Sequence, residues 1–345
     1  MSAKKLSHWC LFWLSLCALP VKSAVILQYH HVSETLPAVT SVSADTFRQH
    51  LQYLKDQDYQ VVALNTLLDS LQAGKVLDDK TVAITFDDGY LNNFDTAAPI
   101  LREFAYPYTI FVNPKLIDEG KSYVMTWAQL KALSQQGALI ANHSAEHNYL
   151  HVHASEEDSQ SWKARIKQDL SWSQQRIKDE TGQDWPWIAY PYGEYNRDVQ
   201  AIVKELGLIG IGQHSGAVNA NTDWLAVPRY PASGQYANLD TLKTKLESAA
   251  FSFSAIEYDD TVTTNRQPSL KLTFAEINFH TSQLACYVSG QGHAKLSWVD
   301  ERSVLIESPE PLKLGRSRYN CTAPIKTAPK RYFWYSHPWV VNDPS

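Results

Sequence analysis

Between residues 25 and 231, short apolar runs alternate with stretches whose apolar residues recur at helical spacing, the pattern of βα units feeding a parallel sheet. The runs are Ala24–Gln28, Thr81–Thr85, Tyr108–Val112, Ala138–Ala141, Trp187–Ala189 and Leu208–Gly212. Between them the spacing predicts helices over Asp45–Gln57, Phe94–Phe104, Trp127–Gln136, Ser159–Lys178 and Arg197–Leu206, with Gly137 and Gly207 where helix C-caps belong. A last helical stretch, Leu239–Ala249, leads into β-branched alternation at Ser269–Thr273, Ala285–Val288 and Ser303–Glu307. Residues 24–250 thus read as an α/β domain, and 255–345 as a small β-rich accessory domain.

Polar residues close nearly every apolar run. Tyr29-His30-His31 ends the first and Phe86-Asp87-Asp88-Gly89 the second, with Asn113 and Asn142-His143 on the next ones. Tyr190-Pro191-Tyr192-Gly193 and Gln213-His214-Ser215-Gly216 follow. C-terminal strand ends of a parallel α/β sheet or barrel gather at one rim, so these groups are expected to share a cleft.

The N-terminus reads as a leader: Lys4 and Lys5 precede an apolar run from Trp9 to Leu19, and small residues Ser23 and Ala24 follow. Residues 1–23 are therefore predicted to be a cleaved signal peptide, giving a periplasmic or secreted protein without a stable membrane anchor. Removing the leader takes Cys10 and Cys17 with it, which leaves Cys286 and Cys321 to pair as a disulfide in an oxidising compartment. The net charge of −5 and the lack of basic blocks argue against nucleic acid as a partner. The chain is rich in aromatics, with 11 Trp and 18 Tyr, which serve packing or stack against sugar rings.

Two motifs carry chemistry. Asp87-Asp88-Gly89 puts adjacent carboxylates at a strand end, where a turn can aim both into one cleft, one to bind metal and the other to handle a proton. His143-Ser144-Ala145-Glu146-His147 would set two imidazoles one helical turn apart on the same face, suited to a divalent metal. One Asp and two His leave an open coordination position for water, the layout of a catalytic zinc site, though cobalt, nickel or iron also suit such ligands.

Thr85-Phe86-Asp87-Asp88-Gly89, then His143-Ser144-x-x-His147, then Tyr190-Pro191-Tyr192-Gly193 resembles the polysaccharide deacetylases of carbohydrate esterase family 4, the NodB-homology family. The resemblance covers about residues 25–232. Tyr29-His30-His31-Val32, Pro191-Tyr192-Gly193-Glu194-x-Asn196 and the later Ser215-Gly216 and Pro228-Arg229 look most like its periplasmic poly-N-acetylglucosamine N-deacetylase branch, whose barrel motifs are circularly rearranged. The resemblance implies a distorted (β/α) barrel that hydrolyses N-acetyl groups on a glycan. It makes Asp87 the general base, Asp88, His143 and His147 the metal ligands, the Tyr192 backbone N–H an oxyanion donor and His30 the general acid. His31 and His214 are the rivals of His30. Tyr192, Tyr195, Trp185, Trp187 and Trp224 are candidate stacking platforms for sugar.

The chain departs from the family at Ala189, where an arginine ordinarily holds the catalytic Asp; the rearranged branch also lacks it. Arg229 is a candidate to orient Asp87 instead, with a surface ion pair as its alternative reading. The usual Asp-containing motif that braces the acid is not recognisable. Two other functions stay open: a non-catalytic carbohydrate-binding protein on the same scaffold, and hydrolysis of O-acetyl esters or of peptidoglycan N-acetyl groups.

Overall fold

The computed structural model describes residues 23–75 and 77–343; all of the expected leader but Ser23, with Cys10 and Cys17, lies outside the described residues. Seven parallel strands form one curled sheet: β1 (Val25–Tyr29), β2 (Thr81–Phe86), β3 (Thr109–Val112), β4 (Leu139–Asn142), β5 (Trp187–Ala189), β6 (Ile209–Ile211) and β7 (Tyr230–Pro231). Their order is β7-β1-β2-β3-β4-β5-β6, with a two-residue strand, Gln60–Val61, added beside β2. Every residue of β1 to β6 is buried, as expected when helices and barrel interior cover both faces, which is why these segments read as continuous apolar runs.

The segment before β7 draws the two ends of the sheet together. Val227 donates to Gly210 O at 2.9 Å and accepts from Gly212 N–H at 2.8 Å, while Tyr230 lies in register with Leu27 of β1. The sheet is thus an irregular, curled barrel, as the sequence pattern and resemblance imply. Strand boundaries shift from expectation by a residue or so.

The helices start on side-chain caps: Ser43 on Ala44–Asp56, a Thr126–Gln129 capping box on Trp127–Gln135, Asp158 on Ser159–Thr181 and Asn196 on Arg197–Glu205. Gly137 and Gly207 follow their helices at φ 98° and 69°, the left-handed conformation that glycine adopts without strain. The stretch expected as one helix from Phe94 begins as a π-turn, Asn93–Ala97, and is α-helical over Ala98–Phe104. A further helix, Leu64–Gln72, was not anticipated. It buries Leu64, Leu67, Leu68 and Leu71 at perfect helical spacing, but no side chain caps its N-terminus, so its start carries no sequence signal.

Beyond residue 252 the chain forms two mainly antiparallel sheets, with Val262–Thr263 added in parallel to Ala328–Val341. One contains Phe253–Glu257, Leu270–Phe274, Ser303–Glu307 and Lys295–Trp298; the other is dominated by the long pair Gly315–Ile325 and Ala328–Val341. Leu270, Leu272, Phe274, Val304, Ile306, Phe333 and Trp339 build a separate apolar core between them. Phe333, Trp334 and Tyr335 pack onto the barrel: Ala249 bridges to Phe333, Gly216 to Tyr335, and the Trp334 ring meets Tyr230 edge-on at 5.6 Å. Ser23 and Ala24 join the same seam, Ser23 Oγ accepting from Ala250 N–H and Ala24 pairing with Val218.

Cys286 and Cys321 are disulfide-bonded across directly paired strands, as the cysteine count predicts. The bond closes a loop of 35 residues, for which chain entropy predicts about 3–4 kcal/mol of stabilisation. Cys286→Ala together with Cys321→Ala is therefore expected to lower the thermal midpoint of the C-terminal sheets, followed by near-UV circular dichroism. An unchanged midpoint would show that the bridge adds nothing to stability.

Candidate active site

Asp87 continues β2 by one residue, its N–H bonded to Tyr29 O of β1, and its side chain is fully buried inside the barrel. There Arg229 meets it as a bidentate pair, Nη1 to Oδ1 at 2.7 Å and Nη2 to Oδ2 at 2.8 Å. Gln28 adds a third donor to Oδ2 at 2.6 Å, and Gln213 lies 3.5 Å from the same oxygen. Arg229 is itself wholly buried and spends its other donors on Gly212 O at 2.9 Å and Thr85 Oγ1 at 3.1 Å. Burial alone would raise the Asp87 carboxyl, but the Arg229 guanidinium and the nearby His143 outweigh it and hold it down to about 2. The Arg229–Asp87 contact is thus a buried pair, and the surface-ion-pair reading is corrected.

Asp88 turns the other way at φ 71°, with Gly89 at φ 61° completing the turn. A side chain at Gly89 would strike Val112 at 2.9 Å. The turn carries Asp88 Oδ1 to 3.2 Å from both His143 Nε2 and His147 Nε2. The ligand atoms of these residues lie within 4.8 Å of one another, the one such cluster among the described residues.

The local conformation differs from expectation. Residues 143–147 are not helical: they form a loop after β4 in which Ser144 and His147 take φ 65° and 64°. Two left-handed residues are incompatible with a helix, and buried side chains supply the bonds a helix would have made. Asn113 donates to the carbonyls of His143 and Ser144, Asn142 Oδ1 accepts from Ser144 N–H, and Asp169 accepts from Ala145 N–H. The imidazoles converge all the same, because the loop folds back on itself.

These residues fit a divalent cation. His143 Nε2 and Asp88 Oδ1 are buried and have no aligned hydrogen-bond partner, a costly state that a metal would relieve. The other ring nitrogen, His143 Nδ1, lies 2.7 Å from Ala189 O, which leaves the Nε2 lone pair facing the cluster. Burial lowers His143, but Asp88 and Asp87 beside it raise it above its ordinary value, so proton and metal compete for Nε2. His147 is lowered to about 4 by burial and by the His143 charge.

The three candidates for the acid differ in their surroundings. His30 acts electrostatically on Asp87, Asp88 and His147, and its carbonyl accepts from the Asn93 side chain. His31 stacks on Tyr90 at 3.6 Å and bonds Asn92; burial and the His30 charge lower it to about 4, with Asp88 pulling the other way. His214 is buried beside Tyr195, and burial lowers it to about 3.

A cleft of about 260 Å³ opens over the cluster, lined by Asp88, Tyr90, Asn113, Tyr123, His147 and Tyr192 among others. Tyr192 stacks on Tyr149 at 4.1 Å. The other proposed sugar platforms are corrected. Trp185 and Trp187 stack on each other at 5.1 Å at the start of β5, away from the rim, and Trp187 is core. Trp224 packs against the same core, and Tyr195 lies buried under Tyr190 at 4.9 Å. Sequence reasoning missed Gln28, Tyr123 and Tyr149. Gln28 had a signal, a polar residue inside an apolar strand run, whereas the two tyrosines sit in loops without one.

Residues 74–211 match the family model described as polysaccharide deacetylase. YxkH of Bacillus subtilis is 27% identical over 209 residues, 60% of this chain and 71% of that protein. The poly-β-1,6-N-acetyl-D-glucosamine N-deacetylase of Escherichia coli K12 is 23% identical over 240 residues, 59% of this chain but 35% of that protein. Its counterpart in Staphylococcus aureus MRSA252 is 26% identical over 194 residues, 55% of this chain and 67% of its own. Among solved structures, the Streptococcus pyogenes deacetylase PplD superposes with TM-score 0.59 at 23% identity over 65% of this chain and 98% of that one. IcaB from Ammonifex degensii does so with TM-score 0.55 at 21% identity over 65% and 97%. These likenesses establish the shared fold.

Breaking a buried pair strands a charge, so Arg229→Met is expected to lower the unfolding free energy by about 3–5 kcal/mol in urea titrations. Combined with Asp87→Asn it should cost less than the sum of the single changes; strict additivity would show the two side chains to be uncoupled.

Proposed function

Because the chain carries a polysaccharide deacetylase domain of carbohydrate esterase family 4, we propose that it hydrolyses N-acetyl groups on an N-acetylglucosamine-containing polymer in a metal-dependent reaction. The observation that carries this reading is the pairing of an unsatisfied Asp88–His143–His147 cluster with a neighbouring carboxylate, Asp87, kept ionised by Arg229. A divalent cation held by Asp88, His143 and His147, zinc being the first choice, would supply acidification of a water and polarisation of the acetamide carbonyl.

The remaining work falls to side chains and backbone. Asp87 accepts the proton of the attacking water. Its Oδ1 takes a single donor, Arg229 Nη1, and so keeps a lone pair, whereas Oδ2 is crowded by Arg229 and Gln28. A carboxylate held near 2 is a weak base, so it relies on a water already made acidic, and it stays charged across the neutral range. The Tyr192 N–H stabilises the tetrahedral oxyanion, and His30 protonates the departing amine. Tyr123, half exposed beside Tyr90, and the Tyr149–Tyr192 stack offer faces to the sugar.

Residues 1–23 act as an export signal in this reading, which places the enzyme in the periplasm or outside the cell, and 255–345 as an accessory domain. No helix among the described residues is long and apolar enough to cross a membrane. The absence of an arginine at Ala189 kept a non-catalytic binding module open as an alternative; Arg229, from the segment before β7, meets the same carboxylate and weakens that argument.

Acetate release from β-1,4 and β-1,6 linked N-acetylglucosamine oligomers tests the proposal. We expect release that stops on chelation, returns with zinc and is faster on one linkage. No acetate from either series, in protein carrying bound metal, would exclude this substrate class.

A further inference from the structure

The turn that carries the proposed oxyanion donor is held from outside the barrel. Tyr192 and Gly193 lie consecutively in the left-handed region, at φ 60° and 71°. For a tyrosine this conformation costs about 1–2 kcal/mol, so its surroundings must over-determine it. Part of the constraint is close packing: a Cβ on Gly193 would sit 2.6 Å from Gln213, the residue that approaches Asp87. The barrel adds Tyr149, stacked on Tyr192, and His151, whose Nε2 lies 2.8 Å from Glu194 Oε2.

The rest comes from the C-terminal sheets. Arg316, on Gly315–Ile325, places Nε 2.5 Å from Glu194 Oε1 and its guanidinium 5.2 Å from the Tyr192 ring. Thr261 donates its hydroxyl to Tyr195 O. Asp260 Oδ1 accepts from Arg197 N–H at 3.2 Å, and the Arg197 side chain donates to Tyr258 O and Asp259 O. Glu194 is only 7% exposed, so its charge must be paired. Burial raises its carboxyl, yet His151 and Arg316 bring it below the ordinary range. Every residue from Glu194 to Arg197 except Asn196, which caps the next helix, is thus tied to residues beyond 255.

We infer that Arg316 is a positioning residue for the deacetylation: by pinning Glu194 from the C-terminal sheet, it holds the Tyr192 N–H where the oxyanion forms. The inference rests on the deacetylase reading and gives the C-terminal region a part in turnover. A residue that merely latched the two regions together would affect stability and leave kcat alone. Arg316 reaches Tyr192 through a strained turn, so small displacements there fall directly on the reacting centre.

The test uses the full chain with zinc and compares Arg316→Gln, Arg316→Lys, Glu194→Gln and the Arg316→Gln/Glu194→Gln double variant. Arg316→Gln is expected to lower kcat on N-acetylglucosamine oligomers by about ten- to a hundredfold, less than or equal to the loss of a whole oxyanion donor. KM and zinc affinity should stay within about twofold. Hydrogen exchange over residues 190–197 should quicken, Arg316→Lys should recover part of kcat, and the double variant should fall no further than its worse single. Unchanged kcat, or a loss that appears in KM or zinc affinity instead, overturns the inference. A wild type that releases no acetate defeats the deacetylase reading, and with it any catalytic role for Arg316. In that event exchange alone decides the clamp: faster exchange upholds it and unchanged exchange overturns it.

Discussion

The buried pair between Arg229 and Asp87 is the contact on which the barrel and its site both depend. Arg229 enters just before β7, bonds Gly212 after β6, reaches Thr85 on β2 and ends on the carboxylate that follows β2. One guanidinium therefore links the segments whose approach closes the ring. Among the described residues its cation has no other counter-charge in contact, and a lone buried ion is costly enough that each partner enforces the other. That mutual constraint explains how a chain with Ala189 in β5 still orients Asp87. The arginine comes from the far side of the closure, while the backbone carbonyl of Ala189 orients His143.

Two adjacent aspartates consequently have opposite fates. Asp87 is locked in place by donors from Arg229 and Gln28, with only Oδ1 keeping room for a further proton. Asp88, swung out by a left-handed turn, keeps Oδ1 without a hydrogen-bond partner and faces two imidazoles. Division of labour between like groups follows from such differences in environment more than from residue type. The backbone makes it possible, since consecutive side chains on an unbroken strand would have pointed to opposite faces of the sheet.

How much of this was legible varies residue by residue. The first six barrel strands were, because burial on both faces leaves continuous apolar runs, and so was the gathering of polar strand ends at one rim; the two-residue β7 and the long pair Gly315–Ile325 and Ala328–Val341 were not read. The His143–His147 pair was legible as a pair but not as a loop, since spacing of four suggests a helix and nothing in Ser-Ala-Glu announces left-handed residues at 144 and 147. Trp185, Trp187 and Trp224 misled because composition reports that aromatics exist, not which end of a strand they occupy. The roles of Gln28, Arg229 and Arg316 depend on contacts across 59, 142 and 122 positions of sequence, which no local pattern encodes. Even so, the single polar residue in Val-Ile-Leu-Gln-Tyr was a usable hint.

The central claim is that Asp88 belongs to a metal and Asp87 to a proton. Calorimetric titration of zinc into metal-free wild type, Asp88→Ala and Asp87→Asn proteins, with turnover measured on the same samples, tests it most directly. The account predicts that Asp88→Ala loses both zinc and turnover, while Asp87→Asn binds zinc and does not turn over. Zinc bound with undiminished affinity by Asp88→Ala, or full turnover by Asp87→Asn, would contradict it.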